Sequence, residues 1–356
     1  MWKALFTLAA TCGIIGGGVL LYQNRNRLFR PNFAKVGGTR LVVEVEGDLP
    51  GGGVVEVAEV LRRRFDRHGS AGIEVREIGD REIEIAVPRG TKHGDRVEQV
   101  KRLLDRTGRL EFRLLARASE DGKAFRAADE RLRKPDAKAA NPPPPPRARD
   151  GSARFASQMP GEPEFTYGWA RLSPNEVKML RLDEPTMRRE HTTDLATVAS
   201  ALKHGQPFYP SSSPELLVAV RKPNEKADPV FYALTRQEPE SDAITGELID
   251  RVTVSREYGT RYLMTVQLNR EGGQKLLSLT TRNVLAGHNP EGWRKLAVIL
   301  DGEVLAVQPL TTPLVGQITL SGDALVGEAD DTAMLVRGGT LPAKLKLTRE
   351  EEVEPR

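Results

Sequence analysis

The side chains that most often carry catalysis or bind metals are sparse in this sequence. There are five histidines and one cysteine, and no two histidines stand at the i, i+4 spacing of a helical zinc site. The triplet Arg189-Glu190-His191 is the closest approach to an acid/base group, but isolated charged triplets are more often solvated than catalytic. We therefore predict no catalytic residue, no metal site and no cofactor.

Sequence motifs for nucleophiles and phosphates are missing as well. The sequence has neither a G-x-S-x-G nucleophile elbow nor a G-x-x-x-x-G-K-[ST] phosphate loop. The glycine run at 51–53 lacks the spacing of a dinucleotide-binding turn and is predicted to be an ordinary turn. These patterns favour a protein that is not an enzyme. A hydrolase in the middle of the chain is kept only as a third alternative.

The net charge argues against a nucleic-acid-binding protein. It is only +4, from 53 Lys and Arg against 49 Asp and Glu. A local excess lies at 123–149, where eight basic residues face three acidic ones, and this stretch contains a proline run at 142–146. Such a run favours an extended spacer. A solvated linker is the favoured interpretation, and contact with anionic lipid or nucleic acid is the alternative.

The first part of the chain has the character of a membrane anchor. Residues 4–22 form nineteen positions without a charge, and a helix of that length rises about 28 Å, enough to cross a bilayer. A cleaved signal peptide or a lipoprotein signal at Cys12 are the alternatives. Ala9, Gly13 and Gly17 recur every four residues and form a candidate helix-packing face. We predict a single transmembrane helix with membrane lipid around it.

Apolar periodicity predicts an α+β fold in the rest of the chain. Residues 37–115 show strand, helix, hairpin, helix and strand patterns in the order βαββαβ. A second α/β lobe is predicted at 244–340, with a tight hairpin at Asp301-Gly302. The remaining segments are a Pro-rich disordered linker, a partly ordered insertion, a last strand and a charged tail, at 116–160, 161–243, 341–348 and 349–356 respectively.

Several stretches of the sequence resemble one family. They are DRTGRLEFRLL, ITGELI, LNREGGQKLLSLTTRNV, LAVILDGEVLAVQPLTTPLVGQITLSGD and LVRGGTLPAKLKL, at 105–115, 244–249, 268–284, 296–323 and 335–347. In order and number they resemble the first periplasmic domain of SecD, an accessory subunit of bacterial Sec protein export. The resemblance implies a ferredoxin-like base at 37–115, an inserted head lobe at 244–340, and a strand at 341–348 that returns to the base.

The resemblance also implies a function. It predicts a membrane-anchored module that binds unfolded exported polypeptide without covalent chemistry, in or beside Sec-dependent export, with Sec translocase membrane subunits as further partners. The chain ends where SecD would enter the rest of its membrane bundle, so we expect no proton-coupled motor of its own. The alternative is a structural scaffold that keeps this fold but serves another membrane complex.

Topology and contact residues complete the prediction. Arg25, Arg27 and Arg30 follow the apolar run and favour a cytoplasmic body, whereas the resemblance implies an extracytoplasmic body at the cell inner membrane. We follow the resemblance, because a polypeptide-binding head can act only where exported chains emerge. Leu310, Leu314 and Val315, in the loop after the predicted hairpin, are the candidate polypeptide contacts.

Overall fold

The structure is a computed structural model that covers much of the chain after residue 32. It describes residues 33–47, 51–66, 71–90, 93–133, 155–157, 165–190, 192–204, 207–222, 226–239, 242–256, 262–284, 293–322 and 326–355. The predicted membrane helix at 4–22, with Ala9, Gly13 and Gly17, lies outside these residues, as does the proline run at 142–146. No helix in the described part combines the length and apolar character needed to cross a bilayer.

The described chain contains both helices and strands throughout its length. The helices are α1 (Phe33–Val36), α2 (Gly53–Asp66), α3 (His93–Leu104), α4 (Gly122–Arg133), α5 (Pro174–Met179), α6 (Glu184–Glu190), α7 (Thr192–His204), α8 (Arg270–Asn283) and α9 (Val326–Gly338). The strands are β1 (Gly38–Glu46), β2 (Glu74–Glu77), β3 (Glu82–Pro88), β4 (Leu110–Leu115), β5 (Phe155–Ser157), β6 (Phe165–Leu172), β7 (Val218–Arg221), β8 (Val230–Gln237), β9 (Ile249–Arg256), β10 (Tyr262–Leu268), β11 (Lys295–Leu300), β12 (Glu303–Pro309), β13 (Gln317–Gly322) and β14 (Lys344–Val353). The predicted α+β class is confirmed.

Contacts divide the chain into two units. Unit 1 consists of the residues up to Thr107 together with Leu341–Arg356, and unit 2 is Gly108–Thr340. In unit 1 an antiparallel sheet has the strand order β14-β1-β3-β2. Alternate residues of β1 and β3, such as Leu41 and Ile85, are fully buried on the side that α2 and α3 cover. This period-two burial is the pattern from which both strands were predicted.

The strand that closes the unit 1 sheet is not the predicted one. The sequence placed Leu110–Leu115 there, but β14 fills this position and pairs with β1 over its whole length. The predicted charged tail at 349–356 is therefore wrong as far as Val353. Its acidic side chains are tolerated in an edge strand because they have partners: Glu350 lies 2.7 Å from the Lys101 ammonium.

Unit 2 contains a large sheet built from distant parts of the chain. Its order is β5-β6-β12-β11-β4-β8-β7, and an additional pairing of β6 with β8 closes five of these strands into a ring. Leu115, Ile299 and Val304 belong to the buried cluster inside unit 2. The two strands of the hairpin β11 and β12 meet at Asp301 and Gly302, whose φ angles are 54° and 81°. Both values belong to a tight hairpin turn, as predicted.

The predicted disordered linker at 116–160 is partly helical. Helix α4 places Ala124, Phe125 and Ala128 in a buried cluster with Leu217 and Leu234. The stripe contains only one large apolar side chain, so its helical period is weak in the sequence. The predicted insertion at 161–243 also contributes directly to unit 2, because β6, β7 and β8 are members of its large sheet.

A buried carboxylate in unit 2 has an unusual ionisation. Glu176 lies in the short helix α5, which Ser173 caps by accepting a hydrogen bond from the Glu176 backbone N–H at 3.3 Å. Glu176 is buried, with only 4% of the residue exposed. Burial raises the pKa of Glu176 to about 7, although the Val307 N–H and the Lys295 ammonium favour the charged form.

This carboxylate is expected to make stability fall as pH rises. Between pH 4.5 and 7 the unfolded chain releases the Glu176 proton while the folded chain retains it, so ionisation costs folding free energy. Glu176→Gln carries no such proton. We expect the free energy of unfolding of Glu176→Gln, relative to that of the wild type, to rise by about 3 kcal/mol from pH 4.5 to pH 7.5 in urea unfolding. The exposed Glu184→Gln variant is the control, and parallel pH profiles for Glu176→Gln and wild type would contradict the prediction.

Candidate functional site

The loop between β12 and β13 is held in a defined shape by backbone contacts. The N–H of Leu314 donates to the Thr280 hydroxyl oxygen at 2.9 Å, and this threonine lies in α8. At the end of the loop, the carbonyl of Gly316 accepts a hydrogen bond from the Leu268 N–H at 2.8 Å and so extends the β10–β13 pairing. Side chains of this loop are therefore presented from a fixed backbone.

The three predicted contact residues have different environments. Leu310 is fully buried, so its prediction as a contact for polypeptide is wrong. Its side chain continues the inward row of β12, in which Val304 and Ala306 are also buried. Leu314 is half-buried, whereas Val315 is 69% exposed. The structure thus leaves Leu314 and Val315 available at the surface.

Helix α8 adds an apolar residue beside this loop. Asn269 caps the helix by accepting a hydrogen bond from the Gly272 N–H at 2.9 Å. A Cβ at Gly273 would lie 3.2 Å from the Cα of Gly316, so helix and loop pack closely there. Leu277 follows Gly273 by one turn, on the side that faces the loop, and is 38% exposed. The sequence analysis did not single it out, although its i+4 spacing from Gly273 was visible.

We call these exposed apolar residues the head patch. Its members are Leu277, Pro313, Leu314 and Val315. They form a small apolar surface on a rigid support, because the loop is bonded to both α8 and β10. Such a surface can contact apolar side chains of a partner without rearranging.

An open sheet face continues from the head patch. Strands β9, β10 and β13 form an antiparallel sheet, and buried residues such as Val266 and Ile318 lie on the side of α8 and α9. The opposite face carries mainly uncharged polar side chains: Thr253, Ser255, Leu263, Thr265, Gln267, Gln317, Thr319 and Ser321, with Arg251 at one end. The hydroxyl oxygens of Thr265 and Thr319 lie 3.2 Å apart across the strands. Because this face is mostly uncharged, it would discriminate little between polypeptides of different charge.

Both edges of this sheet are open within the described residues. There, β9 and β13 each pair only with β10, so the outer backbone groups of each strand face no other strand. Strand β13 begins at Gln317, two residues after Val315. An extended segment could therefore pair with β13 while its side chains contact the head patch. No group of three metal-ligating side chains occurs among the described residues.

A buried charge network supports the start of the same loop. The carboxylate of Asp121 lies 3.2 Å from an Arg294 nitrogen and 3.4 Å from an Arg236 nitrogen, and it accepts the Tyr167 hydroxyl at 2.9 Å. Burial and this carboxylate raise the pKa of the Tyr167 phenol, while burial lowers the pKa of Arg294. The carbonyl of Arg294 accepts the Leu310 N–H at 2.8 Å. The network thus fixes the residue from which the loop departs.

Comparison with known proteins identifies part of the chain. Residues 220–343 match the family described as SecDF, P1 head subdomain, which covers the head patch and the open sheet. The protein translocase subunit SecD of Acidaminococcus fermentans is 35% identical over 115 residues, 32% of this chain and 25% of that protein. SecD of Rhodothermus marinus is 27% identical over 313 residues, 83% of this chain and 46% of that protein.

A solved structure supports the same fold. The crystal structure of SecDF in its super-membrane-facing form superposes with a TM-score of 0.50 at 17% identity, over 99% of this chain and 35% of that one. The predicted resemblance to the SecD periplasmic domain is confirmed. The matching begins at residue 220, earlier than the predicted start of the head lobe at 244. The chain spans between a quarter and just under half of the length of these SecD relatives.

Proposed function

We propose, from the SecDF P1 head subdomain at residues 220–343, that this protein binds unfolded polypeptide noncovalently in or beside Sec-dependent protein export. The observation that carries the proposal is the adjacency of the head patch and the open β13 edge. Backbone pairing with an edge strand is largely indifferent to the sequence of the bound segment. That property suits a protein that must receive many different chains.

We infer that unit 1 is the ferredoxin-like base predicted from the sequence. Its sheet order, with β14 in the place of the fourth strand, is the order of a split βαβ unit. The fourth strand is supplied only after the whole of unit 2, so unit 2 is an insertion between the last base helix and the last base strand.

We further propose that residues 4–22 anchor the protein in the cell inner membrane with its body outside the cytoplasm. The uncharged length of this segment supports an anchor. Orientation follows from the proposed task, because exported chains emerge on the outer side. On this proposal the partners are the emerging polypeptide, Sec translocase membrane subunits and membrane lipid, and the protein carries no catalytic or proton-coupled step of its own.

The binding proposal predicts a strong effect at Val315. Val315→Asp puts a charge on the apolar head patch and should weaken binding of a permanently unfolded test polypeptide by about tenfold, since central interface residues often contribute 1–2 kcal/mol. The effect should be measured by fluorescence anisotropy with the full chain in detergent. A photo-cross-linker at position 315 should also attach to a stalled export substrate in membranes.

Two matched variants make the test specific. Val55→Asp in α2 introduces the same change at a site with 58% exposure and should leave binding unchanged. Leu310→Asp buries a charge and should unfold unit 2 instead, so it reports stability and not binding. Equal binding by wild type and Val315→Asp, together with no cross-link from position 315 in a folded protein, would refute the chain-binding proposal.

A scaffold role is the second candidate. It is favoured if the protein is recovered with a membrane complex other than Sec subunits while the head patch variants remain fully functional. The rigid ring of five strands in unit 2 is the feature that would suit a scaffold. Affinity purification from detergent-solubilised membranes distinguishes the two roles.

A further inference from the structure

A small pocket opens in unit 2, and none of the residues that line it belongs to the head patch. It lies where the end of β4, the loop before β7 and the start of β11 come together. Residues that line it include Leu115, Arg117, Ser213, Leu216, Trp293 and Lys295. Its cavity volume of ≈ 30 Å³ admits only a group of a few heavy atoms. The wall is apolar on one side and cationic on the other.

The lysine in this pocket has no carboxylate bound to it. Its ammonium group donates to the Ser213 hydroxyl oxygen at 3.3 Å, and within the described ranges it forms no ion pair. The neighbouring Arg117 guanidinium interacts with Glu120 at 3.4 Å and with Glu215 at 3.9 Å. Glu215 is also engaged by the Ser119 N–H at 3.0 Å. Among the cations of the pocket wall, the Lys295 ammonium is therefore the one that can pair with the charge of a ligand.

The electrostatics of Lys295 also favour binding of an anion in this pocket. Burial lowers the pKa of Lys295, and repulsion by Arg117 lowers it further, whereas Glu176 acts in the opposite direction. Lys295 and Arg117 thus place two cations in one desolvated pocket, whose wall also contains Glu215. Glu176 does not line the pocket but is close enough to favour the charged form of Lys295. A small anion placed between Lys295 and Arg117 would reduce the repulsion between their charges and accept charge-assisted hydrogen bonds from both.

We propose that this pocket is a binding site for short-chain monocarboxylates. The carboxylate would lie between Lys295 and Arg117 and accept a hydrogen bond from Ser213. The short carbon chain would contact the apolar wall formed by Leu115, Leu216 and Trp293. This assignment is independent of the proposed role in export, because none of these residues belongs to the head patch.

The buried Glu176 makes the binding pH-dependent. Above its pKa of about 7, the Glu176 carboxylate competes with the ligand for the Lys295 charge. Below that pH the carboxyl group is protonated, and the ligand becomes the main anion near Lys295. The other charged or hydroxyl-bearing residues of the pocket wall are Arg117, Glu215, Ser212 and Ser213. Affinity should therefore be several-fold higher at pH 6 than at pH 8.

The experiment is a titration of the full chain with sodium acetate and sodium propanoate at constant ionic strength, with chloride as the balancing ion. Trp293 fluorescence or calorimetry reports binding. We expect saturable binding that acetamide, the neutral analogue, does not reproduce. Lys295→Met should weaken the affinity at least about tenfold, and the milder Ser213→Ala several-fold. Lys203→Met removes an exposed lysine of α7 and should change nothing.

The outcomes separate the interpretations. Glu176→Gln should bind acetate with the same affinity at pH 6 and pH 8, which a nonspecific charge effect would not produce. Equal affinity in wild type and a folded Lys295→Met protein would overturn the proposal, as would chloride competing as well as acetate. If Lys295→Met fails to fold, unchanged affinity in Ser213→Ala together with a pH-independent wild type would do the same.

Discussion

Replacement of Asp121 by alanine should lower the free energy of unfolding of unit 2 by about 3 kcal/mol, because breaking a buried ion cluster leaves its cations with less compensation. Among the described residues, Arg236 would keep only Glu238 as a carboxylate partner, and Arg294 only Glu120. The variant would leave Arg236 and Arg294 buried together without the carboxylate between them. It would also remove the acceptor for the Tyr167 hydroxyl and for the Arg117 N–H, at 2.9 and 2.8 Å.

Tryptophan fluorescence during urea unfolding can follow this loss. In the described part of the chain the tryptophans are Trp169 and Trp293, and both lie in unit 2. The matched control is Glu184→Ala, which removes a carboxylate from a pair with Arg188 in the same unit. Both members of that pair are about two-thirds exposed, so the loss should stay below about 1 kcal/mol. Similar losses in the two variants would show that the buried network does not stabilise unit 2.

Removal of residues 344–356 should unfold unit 1 and leave unit 2 folded. The truncation deletes β14, which pairs with β1 from Gly38 opposite Val353 to Glu46 opposite Lys344. It also removes the Glu350 carboxylate from Lys101 in α3. In hydrogen exchange, amides of β1 and β3 should lose protection by on the order of 100-fold or more, while amides of β4 and β11 should keep theirs.

A shorter truncation serves as the control. Removing only Pro355 and Arg356 spares every residue that pairs with β1, so protection in unit 1 should be unchanged. Loss of protection in β4 after the longer truncation would contradict the division into two units. Retained protection in β1 would show that three strands are enough for the base.

Much of the local structure could be predicted because it depends on short-range patterns. The turn at Asp301-Gly302 follows from the residues that tolerate positive φ, and β11 and β12 follow from the apolar runs on either side. The alternating strands of unit 1 are similarly visible. Each of these elements has its signal within about ten residues.

Sheet membership could not be predicted in the same way. In β4, Glu111 and Arg113 alternate with apolar residues, which is typical of a strand with one exposed face. In the structure both are buried, because they form an ion pair with each other. The strand is therefore central to the unit 2 sheet and not the edge of unit 1. A sequence shows the charges but not that they neutralise one another.

The predicted contact residues differ in exposure. Val315, in the loop after β12, is exposed, and its contact with polypeptide stays a prediction. Leu310 is buried because the inward side of β12 continues one residue beyond the end of the strand at Pro309. Leu277 and the pocket at Lys295 depend on contacts between segments far apart in sequence, which no local pattern encodes.

The pairing of β1 with β14 has a consequence for the order of events during synthesis. Thr39 and Glu352 are hydrogen-bonded across 313 positions of sequence. All strands of unit 2, in contrast, lie between Gly108 and Thr340. All strands of unit 2 are therefore synthesised before β14, the second sheet partner of β1. Closing the long loop between β1 and β14 is slow. Until then β1 can pair only with β3 and presents its other edge unpaired, which makes the nascent base itself a chain in need of protection.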